Sequence, residues 1–187
     1  LDLLKNRAAR MENLLNDLLE HSRIGHCPVS SEVVPGTRLV EELQALLNLP
    51  VGMTLEVSGP FAREALPLMP LKLVLLNLLS NAIKHHDRED GTVQLSFRPT
   101  PAAWDFTVTD HGPGIAPQYH ERVFQIFQTL RPRDEIEGSG MGLAMVRKHV
   151  EVAGGSIRLI SDGTRGTTFT LSWPRQQQKA PHDRGKE

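Results

Sequence analysis

A segment near the middle of the chain places two asparagines and a lysine within a run of leucines. Asn77, Asn81 and Lys84 are spaced by four and three residues, so on a helix they would line one face. Carboxamide oxygens suit Mg²⁺, which takes oxygen ligands, and a lysine can neutralise phosphate charge. The alternative is that the asparagine side chains only form hydrogen bonds with neighbouring backbone groups. Because asparagine lowers helix propensity and is costly to bury, we expect a compensating role.

A second motif, Asp110-His111-Gly112-Pro113-Gly114-Ile115, follows a predicted strand. Glycines at positions 112 and 114 would let the backbone approach a flat ligand closely. A carboxylate at the strand end can accept the exocyclic amine of adenine and so select adenine over guanine. A tight turn without a ligand would show the same pattern, so this motif is weak on its own.

A third motif, Gly138-Ser139-Gly140-Met141-Gly142-Leu143, precedes a predicted helix. Its backbone amides and the helix N-terminus would attract phosphate. A dinucleotide site needs a strand directly before the glycines, and a P-loop needs a following Lys-Ser or Lys-Thr pair; a charged loop precedes this motif and no such pair follows. Together the three motifs can hold a purine base at one end and a triphosphate at the other.

The elements that must position these motifs are read from hydrophobic periodicity. The pattern predicts a domain that mixes helices and strands. Thr37 is the predicted cap of the first helix, and Pro70 the start of the second. The predicted strands are 32–34, 53–57, 92–97, 105–109, 157–161 and 167–173. One predicted helix follows Thr37, a second follows Pro70 and a third spans 141–152. A short helical stretch is predicted at 121–127 and a mobile loop at 128–139.

The first 25 residues carry a heptad seam. One interpretation is an amphipathic helix on its own domain, and the other is one arm of a helical bundle or dimer. A linker-like segment at 26–31 favours the second, with the helix standing off the globular part. We therefore predict a helix at 1–25, a linker at 26–31, a globular domain at 32–174 and a disordered tail at 175–187. The seam residues are Leu1, Leu4, Ala8, Met11, Leu15, Leu18 and Ser22.

Composition excludes several classes of function. The chain has 187 residues and a net charge of -1, which fits one ordinary domain and argues against nucleic acid or an anionic membrane as partner. Its one cysteine excludes an internal disulfide. No apolar run approaches the roughly 20 residues of a membrane span, and no signal peptide is visible. We expect a cytoplasmic location, with membrane anchoring of a longer parent protein left open.

The order and spacing of the three motifs, with Phe124 and Phe127 between the last two, resemble the catalytic ATP-binding domain of bacterial sensor histidine kinases. These belong to the GHKL superfamily of gyrase, heat-shock chaperone and MutL ATPases. The resemblance covers residues 32–174 and implies an α+β fold, a two-layer α/β sandwich of the Bergerat type with a mixed sheet. Residues 1–25 look like the second helix of the family's dimerisation and phosphotransfer hairpin.

The resemblance also implies roles for individual residues. Asn81 would hold Mg²⁺ and Lys84 a phosphate, while Asp110 would take the adenine amine with help from Thr167 through water. His85 lies where the family often has an aromatic residue near the base, and residues 128–137 would form the ATP lid. The implied catalytic residues are Asn77, Asn81 and Lys84, and the implied ATP-binding residues are Asn77, Asn81, Lys84, His85, Asp110, Gly112, Gly114, Ile115, Phe127, Gly138, Gly140, Met141, Gly142, Leu143 and Thr167.

Asn77 separates two reaction types. In the ATPase branches the matching residue is a glutamate that activates water. Asparagine cannot take a proton at neutral pH, so the γ-phosphate would survive for transfer to a side chain. The resemblance therefore implies a protein-histidine kinase using ATP and Mg²⁺, and His21 is not the expected phosphoacceptor.

The implied partners are a second copy through the N-terminal helix, a phosphoacceptor histidine helix outside this chain, and a response regulator receiver domain. Three alternatives stay open. A GHKL-type ATPase would need the glutamate and a transducer domain. An anti-sigma-type serine kinase has a similar pocket, and a degenerate module would bind without catalysis.

Overall fold

The computed structural model describes residues 11–12, 15–16, 18–19, 21–25, 32–128 and 140–175. The described part is an α+β fold in which helices pack on a five-stranded mixed sheet, and this confirms the predicted fold class. The described positions from 11 to 23 are helical. The linker at 26–31, nearly all of the predicted loop and the tail beyond residue 175 lie outside the described residues. No helix among the described residues has the length and apolar character needed to cross a membrane.

The described part of the domain contains three α-helices and seven strands. It also has three short 3₁₀ turns, Phe61–Arg63, Pro117–Tyr119 and Arg122–Phe124. The elements are β1 (Val33–Pro35), α1 (Gly36–Leu46), β2 (Met53–Ser58), β3 (Ala65–Pro67), α2 (Leu71–Lys84), β4 (Gly91–Pro99), β5 (Ala103–Asp110), α3 (Gly142–Val152), β6 (Ser156–Ile160) and β7 (Thr167–Pro174).

The main sheet has the strand order β2-β4-β5-β7-β6. β2 runs parallel to β4, and the other neighbouring pairs are antiparallel. Alternate residues point to opposite faces, so one face is apolar and the other carries hydroxyl and charged groups. The register of β5 on β7 sets Asp110 opposite Thr167. The buried apolar side chains of the three central strands are Val93, Leu95, Phe97, Phe106, Val108, Phe169, Leu171 and Trp173.

The helices cover the apolar face of the sheet. α2 contributes six buried residues, all of them leucine, valine or alanine. Its polar Asn77 and Asn81 are only partly buried and lie beside α3. Burial of the apolar face fixes the rotation of α2, and this rotation determines which way the two asparagines point.

Three local predictions differ from the structure. Thr37 does not cap α1, because the helix already begins at Gly36, whose amide bonds the carbonyl of Glu64 at 2.9 Å. β3 was not predicted, since three residues pairing with β1 leave too little periodicity. The helical stretch predicted for 121–127 is a 3₁₀ turn that ends at Phe124, and Phe127 has a positive φ of 61°.

Residues 21–25 contact α3. Ile24 forms a small apolar cluster with Met141 and Met145, and the ammonium group of Lys148 donates to the carbonyl oxygen of His21 at 2.7 Å. The sequence suggested that the N-terminal helix stands off the domain, but this end of the segment contacts it. We call this set of interactions the α3 contact.

Candidate nucleotide-binding site

The asparagine face of α2 meets the first residue of α3. A Cβ atom on Gly142 would lie 2.9 Å from Asn77 Oδ1 and 3.9 Å from Asn81 Nδ2, so a side chain at this position would displace the amide. Asn77 Nδ2 donates to the Leu73 carbonyl at 3.0 Å, and this bond fixes the orientation of the amide. The first motif and part of the third, predicted to act together, are therefore in contact.

The N-terminus of α3 gives this region an electrostatic bias. A helix N-terminus carries a partial positive charge and exposes backbone N–H groups. The first turn of α3 contains no acidic residue that would offset this charge. An anionic ligand such as phosphate is therefore favoured beside Asn77 and Asn81.

Asp110, the last residue of β5, lies at the other end of the site. Its Oδ1 accepts a hydrogen bond from the Gly112 amide at 2.8 Å. Burial raises the pKa of Asp110 above its ordinary 3.8, while the amides of Gly112 and Thr167 and the nearby His86 and His111 oppose the rise. A partly buried carboxyl group that is already oriented by backbone amides suits recognition of one amine.

The loop after Asp110 packs against the turn between β6 and β7. The Gly166 amide donates to the Gly112 carbonyl at 2.7 Å, and the Ile115 amide donates to Ser161 Oγ at 2.9 Å. Gly114, with φ of 75°, has the Ser161 hydroxyl and the backbone of this turn beside its missing Cβ. Protein packing therefore already accounts for a glycine at position 114, and the ligand approach expected from the sequence stays a prediction.

The end of α2 lies beside the same loop. A Cβ on Gly112 would be 3.4 Å from the His85 carbonyl, so the residues after Lys84 pack directly on the Asp110 loop. The side chains of Lys84 and His85 are exposed. Both residues occupy the helix end that joins the asparagine face to Asp110.

The remaining predicted residues flank α3. A Cβ on Gly140, which has φ of 71°, would be 3.1 Å from the carbon of the Phe127 carbonyl and from the Gln128 oxygen. The Met141 side chain is fully buried in the α3 contact, and half-buried Leu143 packs on the core. Gly138 lies outside the described residues, as do residues 129–137 of the predicted lid.

Sequence reasoning missed Ser161, which links the turn to the Asp110 loop. A single serine before a polar turn carries no pattern of its own. The sequence analysis also missed that Ile24 takes part in the α3 contact, because the heptad seam ends at Ser22. Both residues act through contacts that are distant along the chain.

The comparisons with known proteins bear on this arrangement. A family profile described as histidine kinase-, DNA gyrase B- and HSP90-like ATPase matches residues 68–177, the part that holds all three motifs. The chain belongs to this family. The predicted resemblance is therefore confirmed, and the three motifs of the site just described lie within the residues that the family profile matches.

Individual relatives cover most of this chain. Cyanobacterial phytochrome A from Nostoc is 31% identical over 169 residues, which are 88% of this chain and 22% of the relative. The methanogenesis regulatory histidine kinase FilI from Methanothrix harundinacea is 32% identical over 180 residues, which are 93% and 20% of the two chains. The chain thus spans about a fifth of the length of these relatives.

Solved structures share the fold of this ATPase-family domain. The mycobacterial sensor histidine kinase MprB has a TM-score of 0.59 at 27% identity and covers 76% of this chain and 96% of its own. The structure of full-length ShkA in complex with AMPPNP has a TM-score of 0.71 at 24% identity over 92% of this chain and 37% of its own. These similarities agree with the sheet order and helix layer described above.

Proposed function

We propose that this chain is the ATP-binding kinase domain of a sensor histidine kinase, which transfers the γ-phosphoryl group of Mg-ATP to a histidine outside this chain. The observation that carries the proposal is the contact of Asn77 with Gly142, which joins an uncharged amide to a helix N-terminus. The family and the histidine kinases among its relatives support this reading. ShkA, which shares the fold, was crystallised with an ATP analogue.

At the base end, Asp110 accepts the exocyclic amine of adenine. The hydrogen bond from the Gly112 amide holds one carboxylate oxygen, and we assign the other oxygen to the adenine amine. Thr167 is buried directly across the strand pair and assists through its hydroxyl group. The roles of Gly112, Gly114 and Ile115 are to shape the loop that carries this carboxylate.

At the phosphate end, the N-terminus of α3 attracts the phosphate chain, and Lys84 neutralises part of its charge. The oxygen-donor chemistry of the carboxamides on α2 fits Mg²⁺, with Asn81 as the residue that would hold it. When bound, the ion would neutralise charge on the phosphate oxygens. Gly140 and Gly142 leave the backbone open beside this end, and Gly138 belongs to the same proposed set.

Asn77 decides between transfer and hydrolysis. An amide cannot remove a proton from water at neutral pH, so this chain has no base at the position where hydrolases use glutamate. The acceptor histidine instead forms a bond from a ring nitrogen to the γ-phosphorus while the bond to the bridging oxygen breaks, and ADP leaves. The hydrolytic alternative is therefore not favoured, and the heptad seam and the histidine kinases among the relatives argue against the serine-kinase alternative.

Two partners follow from this proposal. Seam residues Met11, Leu15 and Leu18 are 64%, 59% and 42% exposed, and such a row of apolar side chains suits a helix of a second copy. In the whole protein, the phosphoryl group would then pass from the histidine to an aspartate of a response regulator receiver domain. His21 is not the acceptor in this scheme, because it lies late on the N-terminal helix, where its carbonyl oxygen accepts a hydrogen bond from Lys148 of α3.

The test mixes this chain with Mg-ATP and a separately produced hairpin that contains an acceptor histidine. Acid-labile, base-stable label on the hairpin is expected. Asn81→Ala and Asp110→Asn should abolish binding of Mg-ATP in calorimetry, while the exposed Val51→Ala serves as a matched surface control. Micromolar affinity in either site variant, or phosphate release without labelling of the hairpin, would contradict the proposal.

A further inference from the structure

The hydroxyl group of Ser161 makes three hydrogen bonds at the base end of the site. It donates to the Gly166 carbonyl at 2.7 Å and accepts from the amides of Ile115 at 2.9 Å and Gly163 at 3.4 Å. A serine hydroxyl has one donor and two acceptor positions, so its full hydrogen-bonding capacity is used. One atom thereby joins the Asp110 loop, the β6–β7 turn and the residue before Thr167.

The surfaces that Ser161 joins fit together without side chains between them. A Cβ on Gly114 would lie 3.0 Å from Ser161 Oγ and 3.3 Å from the Gly163 carbonyl carbon. On the other side, a Cβ on Gly163 would lie 2.7 Å from the Ala116 Cα. The backbone of the loop and the backbone of the turn are therefore in direct contact, and Ser161 supplies the polar link between them.

Both groups that recognise the base depend on this link. Asp110 is oriented by the Gly112 amide, and the Gly112 carbonyl is held by the Gly166 amide at 2.7 Å. Thr167 follows Gly166 directly and lies opposite Asp110 in the sheet. Any movement of the turn relative to the loop would therefore shift Thr167 and the amide that orients Asp110.

We propose that Ser161 is a positioning residue for adenine recognition, which acts by holding the Asp110 loop against the turn that carries Thr167. This inference rests on the proposed function, because it assigns the base end of the same site. Without the hydroxyl, Ile115 loses its hydrogen-bond acceptor and Gly166 its donor. The pairing of β5 with β7 still sets Asp110 opposite Thr167, but the loop whose amide orients the carboxylate is no longer fixed to the turn before Thr167, so selection of adenine weakens before the phosphate end is affected.

The experiment compares Ser161→Ala with Thr164→Ala in the full chain. Thr164 is a matched control, because its hydroxyl lies in the same turn but donates only to the exposed Asp162. Ser161→Cys is measured alongside, since a thiol of similar shape makes only weak hydrogen bonds. Dissociation constants for Mg-ATP and Mg-GTP come from calorimetry, and exchange of the Ile115 amide comes from NMR.

The expected result for Ser161→Ala is about a tenfold weaker affinity for ATP, equal to about 1.4 kcal/mol. The preference for ATP over GTP should fall at least about threefold, as expected when one oriented hydrogen bond is disturbed, and Ile115 exchange should accelerate. Ser161→Cys should move the same quantities in the same direction, and Thr164→Ala should leave all three unchanged. Ser161→Cys decides the question if Ser161→Ala does not fold.

Two results would overturn the inference while leaving the proposed function intact. One is unchanged ATP affinity and base preference in both Ser161 variants. The other is an equal loss of ATP and GTP affinity, which would show general loosening of the fold. A wild-type chain that does not bind ATP, or Asp110→Asn with full affinity, would instead refute the proposed function, and this inference would fall with it.

Discussion

Replacing Gly142 by alanine tests whether the contact between α2 and α3 controls nucleotide binding. The added Cβ would lie 2.9 Å from Asn77 Oδ1, whereas ordinary contacts of a Cβ begin at 3.4 Å. Asn77 or the N-terminus of α3 must therefore move by about half an ångström, which is enough to weaken the 3.0 Å hydrogen bond to Leu73. The perturbation is confined to the place where the proposed phosphate site is built.

The effect on stability should be small, because two terms oppose each other. Alanine gains at most about 1 kcal/mol over glycine in a helix, and less at the first helical residue. Loss of the Asn77 hydrogen bond and the close contact cost about 0.5–1.5 kcal/mol. We therefore expect urea unfolding of Gly142→Ala to stay within about 1 kcal/mol of wild type, while affinity for Mg-ATP falls at least about tenfold.

The assay combines calorimetry with a double-mutant cycle. In an Asn77→Ala background the added Cβ of Gly142→Ala meets no amide, so its cost in free energy of unfolding should disappear. We expect a coupling energy of about 0.5–1 kcal/mol between the two sites. Wild-type ATP affinity in Gly142→Ala, together with no coupling to Asn77, would refute the reasoning.

Three further predictions concern charged groups. Burial raises the pKa of Asp110, so folding disfavours its ionised form. The stability that the protonated carboxyl group contributes below the ordinary pKa of 3.8 is therefore lost as the pH rises through the raised pKa. The free energy of unfolding of Asp110→Asn relative to wild type should therefore increase over this range in urea titrations, and a flat difference would contradict the assignment. Burial lowers the pKa of His149, with smaller contributions from His21 and Lys148, so the α3 contact should be complete above pH 6.5 and weaken as the pH falls through the lowered value. The protection factor of the Ile24 amide against hydrogen exchange should fall under those acid conditions in wild type but not in His149→Gln, and equal behaviour of the two proteins would count against this cause. The Arg165–Asp87 ion pair spans 3.0 Å between side chains that are 40% and 34% exposed, so Arg165→Ala should leave both the urea unfolding midpoint and the ATP affinity nearly unchanged; a tenfold loss of affinity would show that the pair also supports the site.

The sequence contained most of the fold because the sheet and the main helices are strongly periodic. The strands that carry Val93, Phe106 and Phe169 alternate apolar and polar residues, and α2 presents a wide leucine-rich face. Short elements were less accessible. β3 has three residues, and it forms because β1 supplies the hydrogen bonds that its own sequence does not encode.

The candidate site was predicted through residue types, but its assembly was not. The spacing of Asn77 and Asn81 predicted a shared helix face, and Gly142 was recognised as the start of a helix. That Gly142 lies against Asn77 depends on how α2 packs on α3, which neither segment specifies alone. Similarly, Gly114 and Gly163 have positive φ values of 75° and 81°, yet their close approach becomes visible only once the loop and the turn are folded together.

The backbone leaves the site at Gln128 and returns at Gly140, where the two residues are neighbours. A segment whose ends already meet can change in length without moving either end, and each doubling of its length costs only about 0.6 kcal/mol in loop-closure entropy. The domain should therefore tolerate insertions, deletions and grafts between these two residues without a change in the rest of its fold. The stretch is thus a natural place for descendants of one ancestral gene to diverge in length while α2, β5 and α3 keep their positions.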